Sequence, residues 1–257
     1  MTEEELIKMG AMVPPVKIAP SLPPKPDVKL AISICSNRPM TPRVALGISM
    51  VLHHLTAFGV PFGLICRLQA SLLPQARQEV LDEALADECT HQLWLDDDIE
   101  PSADCVLRML HAMKSRPEVD VIASNYCRKQ DTLQYTAEGL NGKMTESFGK
   151  LGLEEVNKIG LGLALVKLDK LRSIPAPHFE VVWNEQYQKY QGEDRYFTDK
   201  IRAAGMRIFV DHGISNNTQH WGDLGFNFKL WHPSPEQISA MKISDETFHR
   251  RQEGLGE

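Results

Sequence analysis

From residue 28 onward, apolar runs of strand length alternate with longer stretches of helical period. Residues 28–35 (VKLAISIC) are β-rich and alternate, and Ser36-Asn37-Arg38-Pro39 ends them. Residues 43–57 put Val44, Leu46, Ile48, Val51, Leu52 and Leu55 at spacings that predict a helix. A second strand is predicted over 60–67, and a second helix over 74–86 with proline in its first turn. The third strand, Gln92-Leu93-Trp94-Leu95, runs straight into Asp96-Asp97-Asp98-Ile99. Pro101-Ser102-Ala103-Asp104 opens a helix with Val106, Leu107, Leu110 and Met113 on one face, and 119–124 is a fourth strand. The alternation predicts an α/β fold: a parallel sheet covered by helices and joined by right-handed crossovers. Ligands bind such sheets beyond the carboxyl ends of the strands. The aspartate triplet, Ser36-Asn37-Arg38, Arg67 and Asn125 all fall at such ends.

The second half is less regular. Residues 130–158 mix short β-like pieces with Gly139, Gly142, Gly149 and Gly152, which predicts hairpins and loops over one face. Residues 159–166 form a strand marked by Gly160 and Gly162. Gln191-Gly192-Glu193-Asp194 precedes a helix over 195–204 that Gly205 closes in the C′ position. Residues 206–211 are a last strand, and 212–221 read as a polar loop. The first 27 residues carry Val13-Pro14-Pro15 and Leu22-Pro23-Pro24-Lys25-Pro26, an extended arm or a segment that docks on a neighbouring subunit. This divides the chain into an arm (1–27), a domain (28–232) and a polar, helical tail (233–257).

The triplet is the main chemical signal. In extended backbone Asp96 and Asp98 share one face and Asp97 takes the other. Two carboxylates on one face repel unless a cation sits between them, and oxygen-rich pairs suit Mg²⁺ or Mn²⁺. The competing reading is a solvated acidic turn after a core strand.

Composition narrows the classes. With 24% charged and 42% apolar residues, the 257-residue chain can build a sizeable core. A net charge of −6 without a basic run argues against affinity dominated by phosphate-backbone neutralisation. No apolar stretch reaches the roughly 18 residues of a membrane span, and Met-Thr-Glu-Glu-Glu is unlike a signal peptide. Cys35, Cys66, Cys89, Cys105 and Cys127 are odd in number and widely spaced, as in a reducing compartment, so a cytoplasmic protein is expected.

The order of motifs resembles a nucleotide-sugar glycosyltransferase of the GT-A fold, most closely the short single-domain enzymes of bacteria and bacteriophages. Asp96-Asp97-Asp98 matches the D-x-D motif, and Gly160/Gly162, Gly192-Glu193-Asp194, Gly205 and His220 follow in the right order. Ser71-Leu72-Leu73-Pro74-Gln75-Ala76-Arg77 likewise precedes the acidic strand as it does in that group, with Gln78 where relatives commonly have Asn. The resemblance runs from residue 28 to residue 221. It implies a single Rossmann-like GT-A domain with a mostly parallel central sheet and a small irregular β/loop acceptor region. It further implies a nucleoside-diphosphate sugar donor and Mn²⁺ or Mg²⁺ as cofactor. The acceptor would be a hydroxyl of a glycan, a protein or a modified DNA base.

By that resemblance Asp98 binds the metal directly, Asp96 contacts the ribose or the metal through water, and Asp97 is open to either part. His220 supplies a further metal ligand, with His212 as its rival. Asp194 is the general base of an inverting reaction, and Glu193 bonds sugar or acceptor hydroxyls; the alternative is that both acids only cap their helix. Arg77 is placed on a phosphate or carboxylate, or on the surface beside Glu79 and Asp82. Arg38, Arg43, Ser36 and Asn37 are placed near the nucleotide, and the backbone at Gly162 close to the donor sugar. Trp183, Tyr187, Tyr190 and Trp221 are candidates for an acceptor platform or for simple packing.

Rival motifs fail on spacing. An EF-hand starting at Asp96 would need Gly at Pro101 and Glu at Leu107. A D-x-D-x-T phosphatase would not have Glu100 after its acids, nor carry them on the third strand. Gly160-Leu161-Gly162 lacks the lysine of a phosphate loop. A sugar-phosphate nucleotidyltransferase remains the enzymatic alternative, though Ser36-Asn37-Arg38-Pro39 has no glycine. A carbohydrate- or nucleotide-binding domain on the same scaffold is the non-catalytic one.

Overall fold

A computed structural model describes residues 28–128, 134–185, 188–222 and 225–226. The proline-rich arm, the tail over 233–257 and Tyr187 lie outside the described residues. The expected alternation is present as β1 (Leu30–Ser36), α1 (Pro42–Ala57), β2 (Phe62–Leu68), α2 (Leu73–Ala86), β3 (His91–Leu95), β4 (Ile99–Glu100), α3 (Cys105–Ser115) and β5 (Val121–Ala123). There follow β6 (Glu138–Gly139), β7 (Leu153–Lys158), β8 (Leu163–Lys167), the hairpin β9 (Val182–Asn184) and β10 (Lys189–Gln191), and α4 (Glu193–Ala203). The chain then forms β11 (Ile208–Asp211), α5 (His212–Ser215), β12 (Gln219–Trp221) and β13 (Gly225–Phe226).

Each helix follows from local chemistry. Thr41 caps α1 by accepting from Val44 N at 3.3 Å, Pro42 starts the helix, and Val44, Ile48, Val51 and Leu55 form its buried stripe. Leu46 points the other way and is 63% exposed, so the apolar face is narrower than its spacing suggests. Gly205, at φ +81°, ends α4: its N–H bonds Arg202 O, and Met206 N–H bonds Ile201 O.

The main sheet has the order β2-β1-β3-β8-β5-β11-β7-β6. Strands β2, β1, β3, β5, β11 and β6 run one way, whereas β8 and β7 run against them. The sheet is thus mostly parallel in strand direction, but the glycine-marked strand β8 separates β3 from β5. Both faces are covered. Leu30, Ile32, Ile34, Leu93 and Leu95 pack with residues of α1 and α3, while Ala31, Cys35 and Trp94 pack with residues of α2 and α4. Trp94 meets Phe179 edge-on at 5.3 Å, and Phe179 stacks on Phe197 of α4 at 4.8 Å. That stack fixes α4 against the strand that ends in the triplet.

Three expectations need correction. The acidic triplet is not extended: β3 ends at Leu95, and Asp97 and Asp98 form a turn. Helix α4 starts at Glu193, with Gly192 as its N-cap, so both acids lie in its first turn. Residues 212–221 are not a loop. Asp211 caps α5 by accepting from Ile214 N at 2.9 Å, and β12 pairs antiparallel with β4, placing His220 opposite Ile99. That pairing links distant parts of the chain, so local polarity hides it.

Candidate active site

The turn after β3 aims its acids into a cleft that the loop after β1 also lines. Because the backbone turns, Asp97 does not point to the far face of the sheet. It is buried, accepts from Ser36 Oγ at 2.6 Å, and takes Arg38 Nε and Nη2 at 3.2 Å. Asp97 therefore pins the loop after β1. Asp98 accepts from Arg38 Nη2 through Oδ2, and the same oxygen lies 3.4 Å from His220 Nε2. Trp221 N–H donates to Asp98 O at 2.7 Å, so β12 carries His220 to the triplet. His220 Nδ1 is 2.8 Å from Cys127 O. A carbonyl only accepts, so Nδ1 bears a hydrogen and Nε2 is the nitrogen turned toward Asp98.

Arg77, expected on a phosphate or at the surface, is 3% exposed. Its Nη2 donates to Asp96 Oδ1 at 3.0 Å and its Nε lies 3.4 Å from Glu193 Oε1, with the guanidinium over the Trp94 ring. Glu79, its supposed surface partner, bonds Arg67 at 3.1 Å instead. Arg77 thus joins the triplet to the first turn of α4, and it leaves Nε and Nη1 without a hydrogen bond among the described residues. Burial pushes the carboxyls of Asp96 and Glu193 up, against the pull of Arg77. Asp194 follows Glu193, and its Oδ1 accepts from Arg195 N at 2.7 Å at the positive end of the helix dipole.

No protein-family model matches the sequence, and no curated protein sequence matches it. Among solved structures, A197 from STIV shares 20% identity over 76% of this chain and 87% of its own, with a TM-score of 0.53. At that identity the likeness is one of fold. The shared fold is α/β with a mostly parallel central sheet. Lower in similarity is GalNAc-T7 with UDP, GalNAc and Mn²⁺ (10% identity, 72% of this chain and 42% of that one, TM-score 0.40). A Drosophila β1,4-galactosyltransferase 7 mutant in complex with manganese, UDP-Gal and xylobiose is comparable (15% identity, 74% and 69%, TM-score 0.41).

On this scaffold the sequence-predicted residues divide. Arg38 joins Asp97 and Asp98, and Asp98 faces His220, while Arg77 joins Asp96 and Glu193; the two groups meet along the chain at Asp96-Asp97. Exposed Asn37 lines the cleft, whereas Ser36 is buried and spent on Asp97. His212 has both ring nitrogens engaged, with Ser147 Oγ at 2.8 Å and Glu154 Oε2 at 3.1 Å. Arg43 lies over the Trp221 ring, and Trp221 donates to Glu100 at 2.6 Å, so both are held in packing. Trp183 and Tyr190 pair across the β9–β10 hairpin, ring centroids 5.1 Å apart, and are 45% and 70% exposed.

Sequence reasoning missed Tyr126. A Cβ on Gly160 or Gly162 would come within 2.5 or 2.6 Å of its hydroxyl, which accepts from Gly162 N–H at 3.0 Å. The two glycines are therefore required by this phenol, whose ring also meets His220 edge-on at 5.1 Å. Its place just beyond β5, at a strand end, was the available signal.

The donor set suits a hard or borderline divalent ion. One carboxylate oxygen and one imidazole nitrogen converge 3.4 Å apart at the mouth of the cleft, a donor pair of the kind that ligates such ions. Among the described residues no three His, Cys, Asp or Glu side chains gather as a metal cluster. An ion here would take Asp98 and His220, with water or other oxygen ligands completing its shell.

Proposed function

We propose that this protein is a glycosyltransferase that moves a sugar from a nucleoside-diphosphate donor to a hydroxyl acceptor. The observation that carries the reading is the Asp98–His220 pair at the carboxyl end of the main sheet, with the neighbouring Asp96 tied through Arg77 to Glu193 in the first turn of α4. Mn²⁺ or Mg²⁺ at Asp98 and His220 would neutralise the charge that develops on the departing diphosphate. Asp96 and exposed Asn37 face the nucleotide side of the cleft. Asp194 takes the proton of the acceptor hydroxyl as its oxygen bonds the anomeric carbon, and the bond from that carbon to the phosphate oxygen breaks. Displacement of this kind inverts the anomeric configuration.

The exposed Trp183–Tyr190 pair, one short turn before Asp194, suits an acceptor that stacks on aromatic faces. A glycan fits better than nucleic acid, because the chain is acidic overall. Trp183→Ala then raises the acceptor KM and leaves donor binding as it was. Five free cysteines and the lack, among described residues, of a helix long and apolar enough to cross a membrane support action in the cytoplasm.

A thermal-shift screen of nucleotide sugars with and without Mn²⁺ tests the reading. Stabilisation that needs both, and vanishes in Asp98→Ala, supports it. No metal-dependent shift with any donor sinks it. Binding with neither transfer nor donor hydrolysis would return the protein to the class of non-catalytic carbohydrate- or nucleotide-binding domains, and pyrophosphate release from a nucleoside triphosphate would make it a nucleotidyltransferase.

A further inference from the structure

Arg38 sits where the proposed metal must arrive. Its Nη2 donates to Asp98 Oδ2, the very oxygen that faces His220 Nε2 at 3.4 Å. A divalent ion ligated by that oxygen and that nitrogen would have a guanidinium on the same carboxylate atom, and like charges at such spacing repel strongly. The two cations therefore exclude each other at Asp98.

Arg38 is also built to leave. Its side chain is 49% exposed, so it can swing without unpacking the core. Its Nε and Nη2 keep a second partner in Asp97 Oδ1 at 3.2 Å, and Asp97 is itself fixed by Ser36 Oγ. A diphosphate entering the cleft would offer the freed guanidinium new oxygens with matching geometry.

We infer that Arg38 is an exchangeable internal cation, which holds Asp98 until a nucleoside diphosphate draws it away, and so makes metal binding depend on the donor. This rests on the metal reading above and adds the order of assembly. Metal alone must break the Arg38–Asp98 pair without recompense, whereas metal with diphosphate transfers Arg38 to a phosphate. The two ligands are then positively coupled, each tightening the other by the same factor.

The test is Mn²⁺ titration followed by the paramagnetic signal of the free ion, with and without saturating UDP, GDP, ADP or CDP, and with thermal melting to confirm folding. In the wild type, the nucleotide that binds should tighten Mn²⁺ about tenfold or more, within the usual range of coupling. Arg38→Gln should bind Mn²⁺ alone about tenfold tighter than wild type, with a coupling factor well below that of wild type, what remains being the direct contact of phosphate with the metal. Arg38→Lys, a point charge unable to span both acids, should fall between. Equal or weaker Mn²⁺ binding by Arg38→Gln, while Asp98→Ala abolishes it, overturns the part given to Arg38 and leaves the metal site standing. Mn²⁺ binding that survives Asp98→Ala overturns both.

Discussion

Two clusters of arginine and carboxylate in this protein use the same groups in opposite proportion. At the rim of the sheet, Glu155 of β7 meets Arg202 at 2.9 Å and Arg207 at 2.6 Å, two cations on one acid. In the cleft, buried Arg77 serves both Asp96 and Glu193, one cation on two acids. Hydrogen bonds from Arg207, joined by Arg202, lower the Glu155 carboxyl to about 2, whereas burial pushes those of Asp96 and Glu193 up. The rim cluster is satisfied within the chain. In the cleft, among the described residues, one buried guanidinium is shared between two carboxylates that burial disfavours as anions.

Substitutions on the cleft side should have the greatest consequences. Asp194→Asn keeps the shape of the first turn of α4 and removes the base, so sugar transfer should fall about 10²- to 10⁴-fold with the melting temperature nearly unchanged. A loss below tenfold would move the proton to another group. Arg77→Met strands two carboxylates against Trp94 and should cost about 3–5 kcal/mol in denaturant unfolding at pH 7. An effect as small as that of a rim substitution would mean the buried cluster is solvated after all.

The rim side is gentler. Glu155→Gln should cost less than about 1 kcal/mol at neutral pH. Because the folded-state carboxyl is lowered, its contribution is complete above the ordinary glutamate value of 4.5 and fades as pH falls toward about 2. Wild type and variant should therefore converge in acid melts. For Glu193 the sign reverses. Its raised carboxyl favours the folded state only below the ordinary range and loses that contribution as pH rises. Glu193→Gln should be slightly more stable than wild type at pH 7, a gain that disappears in acid. If it were less stable at pH 7, the Arg77 pair would outweigh burial.

Much of the scaffold was readable because periodicity reports burial. The 44, 48, 51, 55 stripe in α1 names its core face directly, and the apolar run of β1 marks a strand buried on both faces. Periodicity is silent about neighbours. It marked β8 but not its insertion between β3 and β5, and it could not reveal that β12 pairs with β4. The same limit applies to the site. Asp98 and His220 were legible as residue types and do meet, whereas the burial of Arg77, itself on α2, depends on Trp94 and the first turn of α4 coming against it from other parts of the chain. Tyr126 escaped notice because the glycines that accommodate it are informative only once their neighbour is known.

The pairing of β12 with β4 has a consequence in time. Synthesis runs from the N-terminus, so nearly the whole main sheet, the triplet, Arg77 and Asp194 leave the ribosome before Gln219 to Trp221 do. A nascent chain that has made only β11 already has most of its core and Asp194, the proposed base, yet it lacks the ring nitrogen that completes the pair with Asp98. The strand made almost last arms the site. Proteolysis or premature termination just short of Gln219 should accordingly yield a folded chain that lacks the proposed metal site, a loss read as absent Mn²⁺ binding with melting retained.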